Sequence, residues 1–310
     1  MGEMVDLIKK VYYQNKYSKK MSSSEICRMI NDIGLLYGRE YNLSPIDLEI
    51  IMNSKDGVEK IIDSGEVDLN IPSTTGYLPL VTAATYSNSH ILDLLIKNKA
   101  KVNVEGDYIP LNISASKKDF YSMKLLLDNG ADANKADKNG FISLHYLYDD
   151  ETFRGLYDGI PTVYTFGENL KNKADDSRII RCSNLLFDAG ADVNAMGKYS
   201  LSYSDDKLIE INPLSIALEV WGFDVIENLI NNGSERKAVE IWPDSVYEYQ
   251  STLTSIKELY DISLIPWLFE EYKNYLNYMR KIKKLNIEVF SPYIDDETDY
   301  FKRPKIIKKI

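Results

Sequence analysis

The chain has 310 residues, 44% hydrophobic and 27% charged, close to the globular average, which excludes wholesale disorder. Lys and Arg total 37 against 47 Asp and Glu, a net charge of −10. This excludes a general nucleic-acid or anionic-membrane binder, because phosphate contacts need Lys and Arg, although a local basic patch escapes the argument.

Only 16 glycines and 10 prolines fit a helix-rich chain better than a turn-dense β fold. The 23 tyrosines have two explanations, codon usage in an AT-rich genome or selection for binding. Such a genome fits a bacterium, a parasite or a large DNA virus. Two cysteines, Cys27 and Cys182, cannot make a disulfide framework or a four-thiolate zinc site. Residues 1–10 lack the apolar core of a signal peptide. No window has the ~18 uninterrupted apolar residues of a membrane span. The expectation is a soluble, intracellular, cytoplasmic protein.

In chain order, apolar spacing of three and four predicts helices over 5–17 and 24–37. Ser22, Ser23 or Ser24 can cap the second, with Glu25 in its first turn. Ser44-Pro45-Ile46-Asp47-Leu48 then starts a short helix, and residues 58–65 end a second one at Gly65. From there one pattern recurs. Residues 94–103, 125–134 and 185–194 each read Leu-Leu, three variable residues, Lys or Gly, Ala, two variable residues, Asn. A second pattern precedes them: Tyr77-Leu78-Pro79-Leu80, Tyr108-Ile109-Pro110-Leu111, Phe141-Ile142-Ser143-Leu144 and Asn212-Pro213-Leu214. Pro at a first helical position loses no hydrogen bond. Gly130 and Gly190 suit the left-handed residue that stops a helix.

The spacing is regular. Leu80 to Leu111 is 31 residues and Leu111 to Leu144 is 33. Gly130 to Gly190 is 60, which places a long insert near 149–176. About ten further extra residues fall in a hairpin around 198–209. A fourth copy closes at Gly233-Ser234. Beyond it, residues 246–260 and 265–285 read as two more helices, either degenerate repeats or a C-terminal cap. The end of the chain reads as a mobile tail or a strap over the last helix.

These motifs resemble the ankyrin repeat, with its Thr-Pro-Leu-His helix start, its Leu-Leu-x-x-Gly-Ala-Asp-x-Asn helix end and its 33-residue period. The resemblance covers about 45–234. It implies an all-α fold: an ankyrin-repeat solenoid of stacked helix-turn-helix units with projecting β-hairpin loops and helical N- and C-terminal caps. The expected organisation is a cap over 1–43, a solenoid of about five repeats over 44–234, and a helical cap and tail over 235–310.

Chemistry is sparse. His145 sits where the ankyrin consensus places its helix-start His, and His90 reads as a surface residue. So few His and Cys leave no zinc site and no Cys/His or Ser/His catalytic set. No phosphate-cradling glycine loop occurs. The acidic clusters at 149–151, 175–176, 205–206 and 295–297 lack the ligand spacing of a calcium loop and read as solvated. The expectation is no enzyme, no catalytic residue, no metal and no cofactor.

The resemblance implies a scaffold that binds a protein partner, with no nucleic acid and no membrane, as a monomer. By position in the repeat, the hairpin-tip candidates are Thr74, Thr75, Glu105, Asp107, Asp137, Lys138 and Asn139. The first-helix candidates are Tyr86, Lys117, Tyr146 and Tyr148. The insert carries Phe153, Tyr157 and Tyr164, and it either folds back on the solenoid or offers a partner surface. Residues 264–276 read as an amphipathic cap started by Pro266. They are also similar to the F-box-like ending of poxviral ankyrin proteins, with Leu268 where that motif has Glu. That likeness implies the alternative, an adaptor delivering a bound target to a ubiquitin ligase.

Overall fold

The computed structural model describes residues 2–17, 20–36, 42–149, 173–200, 208–220, 222–239, 280–281, 283–290 and 308–309. The chain divides into two compact units, Met1–Asp132 and Ala133–Ile310. The insert near 149–176 up to residue 172, the helices expected over 246–260 and most of 265–285, and the segment 264–276 lie outside the described residues.

The first unit begins with α1 (Gly2–Lys16) and α2 (Ser23–Leu36). Ser22 caps α2 in a reciprocal box. Its backbone N–H donates to Glu25 Oε2 at 2.8 Å, and the Glu25 N–H donates to Ser22 Oγ at 3.3 Å. Three helix pairs follow: α3 (Pro45–Ile51) with α4 (Lys55–Asp63), α5 (Pro79–Thr85) with α6 (Ser89–Lys97), and α7 (Pro110–Ser116) with α8 (Phe120–Asp128). Each first helix has Pro at its start, where the missing N–H is harmless and the ring presets φ. Each is seven residues long and each second helix nine.

The first helices pack in a row, α3 on α5 on α7, and the second helices in another, α4 on α6 on α8. α2 covers α3, and α1 lies on α2. Ile8, Val11, Tyr12, Ile26, Cys27 and Ile30 close this end in one apolar cluster with Leu48 and Ile51. That cover is needed because a terminal repeat would otherwise expose its apolar face.

The second unit holds α9 (Ser143–Tyr148), α10 (Lys173–Asp188), strands β1 (Gly197–Ser200) and β2 (Leu208–Ile211), α11 (Pro213–Val220) and α12 (Phe223–Asn231). α9 packs on α11, and α10 on α12. β1 and β2 pair antiparallel, Gly197 opposite Ile211 and Ser200 opposite Leu208, at the place where the spacing put a lengthened hairpin. Three short strands were not foreseen: β3 (Lys237–Val239), β4 (Glu288–Phe290) and β5 (Lys308–Lys309) form one sheet in the order β3-β4-β5. β3 pairs parallel with β4, and β5 antiparallel with β4. Such pairings join residues far apart in the chain, and local periodicity carries no signal of them.

The repeat register is visible in burial. Leu80, Leu111, Leu144 and Leu214 of the first helices and Leu95, Leu126, Leu186 and Leu229 of the second are all buried. Successive repeats are stitched by one asparagine each. Asn103 donates through Nδ2 to the Gly130 carbonyl at 2.8 Å and accepts from the Asp132 N–H at 2.8 Å. Asn70 does the same to Lys99 and Lys101, Asn134 to Gly190 and Asp192, and Asn194 to Gly233 and Glu235. The recurrent Asn of the sequence pattern thus satisfies backbone groups left open at each helix end. Asn70 makes the bridge although it stands five residues after Gly65, where Asn134 stands four after Gly130.

Candidate partner-binding surface

Two of the hairpin tips are tight turns closed by glycine. In the first, Ser73 N–H donates to the Tyr77 carbonyl at 2.9 Å and Gly76, at φ 84°, donates to the Ser73 carbonyl at 2.9 Å. Asp137, Gly140 and Phe141 repeat the arrangement, again with φ 84° at the glycine. Only glycine takes that conformation without a Cβ penalty.

The tips are tied to the helices beneath them. Asp47, fully buried in α3, accepts hydroxyl donors from Ser44 at 2.6 Å, Ser73 at 2.5 Å, Thr75 at 3.2 Å and Thr82 at 3.1 Å. A buried carboxylate is tolerated only when so satisfied. Thr75 is therefore half-buried structure, whereas Thr74 is exposed and donates to the Asn42 carbonyl at 2.7 Å. In the second unit Asp137 accepts from the Asn139 and Phe141 N–H groups and from the Tyr146 hydroxyl at 2.7 Å. Asp137 and Tyr146 are thus brought together, with Lys138 and Asn139 exposed at the same tip.

A cleft of about 500 Å³ opens between the hairpin before α5 and the hairpin before α7. Val81 and Val104 are among its apolar lining, Lys101, Glu105 and Asp107 its charged groups. Tyr77 and Tyr108 meet at its edge, ring centroids 4.8 Å apart and nearly perpendicular. They are 39% and 55% exposed. The neighbouring Tyr108 phenol, helped by burial, raises Tyr77 above the usual phenol range. The Tyr77 ring therefore stays neutral at physiological pH.

Glu105 and Asp107 lie in this cleft, as two members of the expected tip set. Lys117 is half-buried at the turn after α7. Tyr86 is half-buried and packs against the N-terminal apolar cluster. One candidate is corrected outright. Tyr148 is fully buried, its hydroxyl 2.8 Å from Ser183 Oγ, because α10 packs over α9; it has no surface to offer. Phe153, Tyr157 and Tyr164 lie outside the described residues. Tyr77 and Tyr108 were absent from the expected set. Their signal was an aromatic placed two residues before each helix-start Pro in successive repeats.

The titratable groups with strong shifts are buried ones. Burial pushes His145 down to about 4, against hydrogen bonds that favour its charged form. The Ile142 N–H donates to its Nδ1 at 3.2 Å, which leaves the proton on Nε2, 3.4 Å from the Ile211 carbonyl. A neutral imidazole so held is a packing group. Burial pushes the Cys27 thiol up to about 12, with Asp47 and Glu49 adding to the effect, so it is inert. Among the described residues no cluster of three His, Cys, Asp or Glu is placed to hold a metal, and no helix is long and apolar enough to cross a membrane.

A family model described as ankyrin repeats, in three copies, matches residues 49–146. The chain carries ankyrin repeats. An ankyrin repeat protein of Acanthamoeba polyphaga mimivirus is 24% identical over 303 residues, covering 88% of this chain and 37% of the relative. An alpha-latrotoxin of Latrodectus geometricus is 32% identical over 98 residues, 30% of this chain and 7% of the toxin. Zygote-specific protein 3 of Chlamydomonas reinhardtii is 37% identical over 75 residues, 24% of this chain and 20% of that protein. The chain thus spans well under half the length of these relatives. The ankyrin match lies over the helix pairs and the Tyr77–Tyr108 cleft, so the cleft is formed by two successive ankyrin hairpins.

Proposed function

We propose that this chain is a non-enzymatic ankyrin module that binds a protein partner, and that the cleft between the hairpins at Tyr77 and Tyr108 is the centre of the contact. Ankyrin repeats in general mediate protein–protein interaction, which supports the coarse reading. The observation that carries the finer one is the pair of exposed, edge-packed tyrosines at the mouth of a partly apolar cleft. Tyrosine in such a place contributes a large contact area with few rotors to immobilise. Thr74, Glu105, Asp107 and Lys117 complete the proposed tip surface of the first unit; in the second unit Lys138 and Asn139 form a proposed tip of their own, supported by Asp137 and Tyr146. The module works as a monomer.

Selection of displayed peptides against the full chain tests this. Selected peptides are expected to lose roughly thirtyfold or more in affinity when Tyr77→Ala and Tyr108→Ala are combined, each ring being worth about 1 kcal/mol or more. Affinities unchanged by that pair overturn the cleft as the centre of binding.

A further inference from the structure

α1 has two unlike faces. Its inner face is bound down: Ile8, Val11, Tyr12 and Asn15 are buried. The Tyr12 hydroxyl donates to Glu49 Oε2 at 2.8 Å, and Lys16 Nζ sits 2.9 Å from Glu49 Oε1. Its outer face is open. Asp6, Lys9, Lys10, Tyr13 and Gln14 are exposed on it, and Tyr17 and Lys20 are exposed just past its end. Spacing of three and four places Lys9, Lys10, Tyr13 and Tyr17 side by side.

Two features of this face exceed what a capping helix needs. First, Tyr13 and Tyr17 are 54% and 70% exposed and stacked on each other, centroids 6.1 Å apart and 15° from parallel. A solvated face needs no such apolar area. Second, residues 1–20 contain five lysines and two acids in a chain of net charge −10. Among the described residues, the ion pairs do not include Lys9, Lys10 or Lys20. Lys16 is spent on Glu49 and is not part of the free charge.

We propose that the outer face of α1 docks an acidic segment of a partner protein, with Lys9, Lys10 and Lys20 meeting its carboxylates and the Tyr13–Tyr17 stack covering its aliphatic side chains. Charge complementarity selects the occupant. A nucleic acid is disfavoured because phosphate affinity grows with the number of basic contacts, and this face has three. The tyrosine rings, closed on each other, also leave no slot for a base between them. A second copy of the chain, itself at −10, is repelled at long range. The site is separate from the hairpin cleft and does not rest on that reading.

The test uses the full chain and a fluorescein-labelled 16-residue peptide of alternating Glu and Leu, read by anisotropy at low salt. Its controls are the Gln-for-Glu peptide and a labelled oligouridine. The acidic peptide is expected to bind. Lys9→Glu with Lys10→Glu should weaken it by about tenfold or more, while Lys60→Glu, an exposed lysine of α4, should change it less than about twofold. Tyr13→Ser should weaken it with Lys9 and Lys10 intact. Thermal unfolding of each variant checks the fold, and Lys9→Gln with Lys10→Gln substitutes if the reversals destabilise it. No binding of the acidic peptide, equal binding of the Gln peptide, tighter binding of the oligouridine, or an equal loss in Lys60→Glu overturns the proposal. So does self-association of the chain, by sedimentation, that the same lysine variants abolish.

Discussion

Glu49 shows how one residue can hold two elements together. It lies fully buried on α3, the first helix of the first pair. Burial alone would raise its pKa. Hydrogen bonds from Ser23, Ser54, Lys16 and Tyr12 outweigh burial and bring it below the usual carboxylate range. The carboxylate also explains Gly57, because a Cβ there would collide with Glu49 and with Ser54 Oγ. A carboxyl whose folded pKa is depressed contributes stability above its unfolded value and loses it as pH falls through the folded value. Glu49→Gln should therefore cost about 1.5–3 kcal/mol at pH 7, the worth of hydrogen bonds to a charged group. The gap from wild type should close in acid, below roughly pH 4.5. Urea unfolding at both pH values checks this; a gap that is absent at pH 7, or unchanged in acid, contradicts it.

At the scale of elements, the helix pairs end on a left-handed residue, and the choice of that residue varies. Gly130, Gly190 and Gly233 occupy the position at φ 84°, 81° and 95°. In the copy after α6 the same place is Lys99, at φ 70°. Its neighbours still make the closing bonds, Lys99 N–H to the Ile96 carbonyl at 2.9 Å and Ala100 N–H to the Leu95 carbonyl at 3.0 Å. The motif therefore forces a side chain into a conformation that costs about 1–2 kcal/mol. Part of that is offset by the greater unfolded-state freedom of glycine. Lys99→Gly should stabilise the chain by about 0.5–1 kcal/mol, seen as a higher urea midpoint at constant slope. A lower midpoint would mean that the Lys99 side chain makes a contact worth more than its strain.

For the whole molecule, charge is the governing quantity. At −10, self-repulsion opposes the compact state, and salt screens it. Raising NaCl from roughly 0.05 to 0.5 M should stabilise the chain by about 1 kcal/mol, or about 2–4 °C in Tm. A melting temperature that falls would show that attractive ion pairs outweigh the repulsion. The pairs on helix surfaces, Lys97–Asp93 and Lys124–Asp128, are exposed and contribute little.

The sequence by itself determined the repeat. Recurrent Leu-Leu, helix-start Pro and turn Asn are local, periodic signals, and they located the helix pairs, the buried leucines and the lengthened hairpin at β1–β2. They did so because each repeat must bury the same face against its neighbour. What a given side chain touches was left to the tertiary structure. Tyr148 and Tyr146 stand two residues apart on one helix; packing of α10 buried the first, and the second was drawn to Asp137. Tyr77 and Tyr108, read in the sequence only as neighbours of a helix start, came together because two hairpins stack at one spacing. The β3-β4-β5 sheet, and the partnership of Tyr12 and Lys16 with Glu49, join residues distant in the chain. Their pairing is set by packing in three dimensions, of which a periodic pattern along one dimension carries no record.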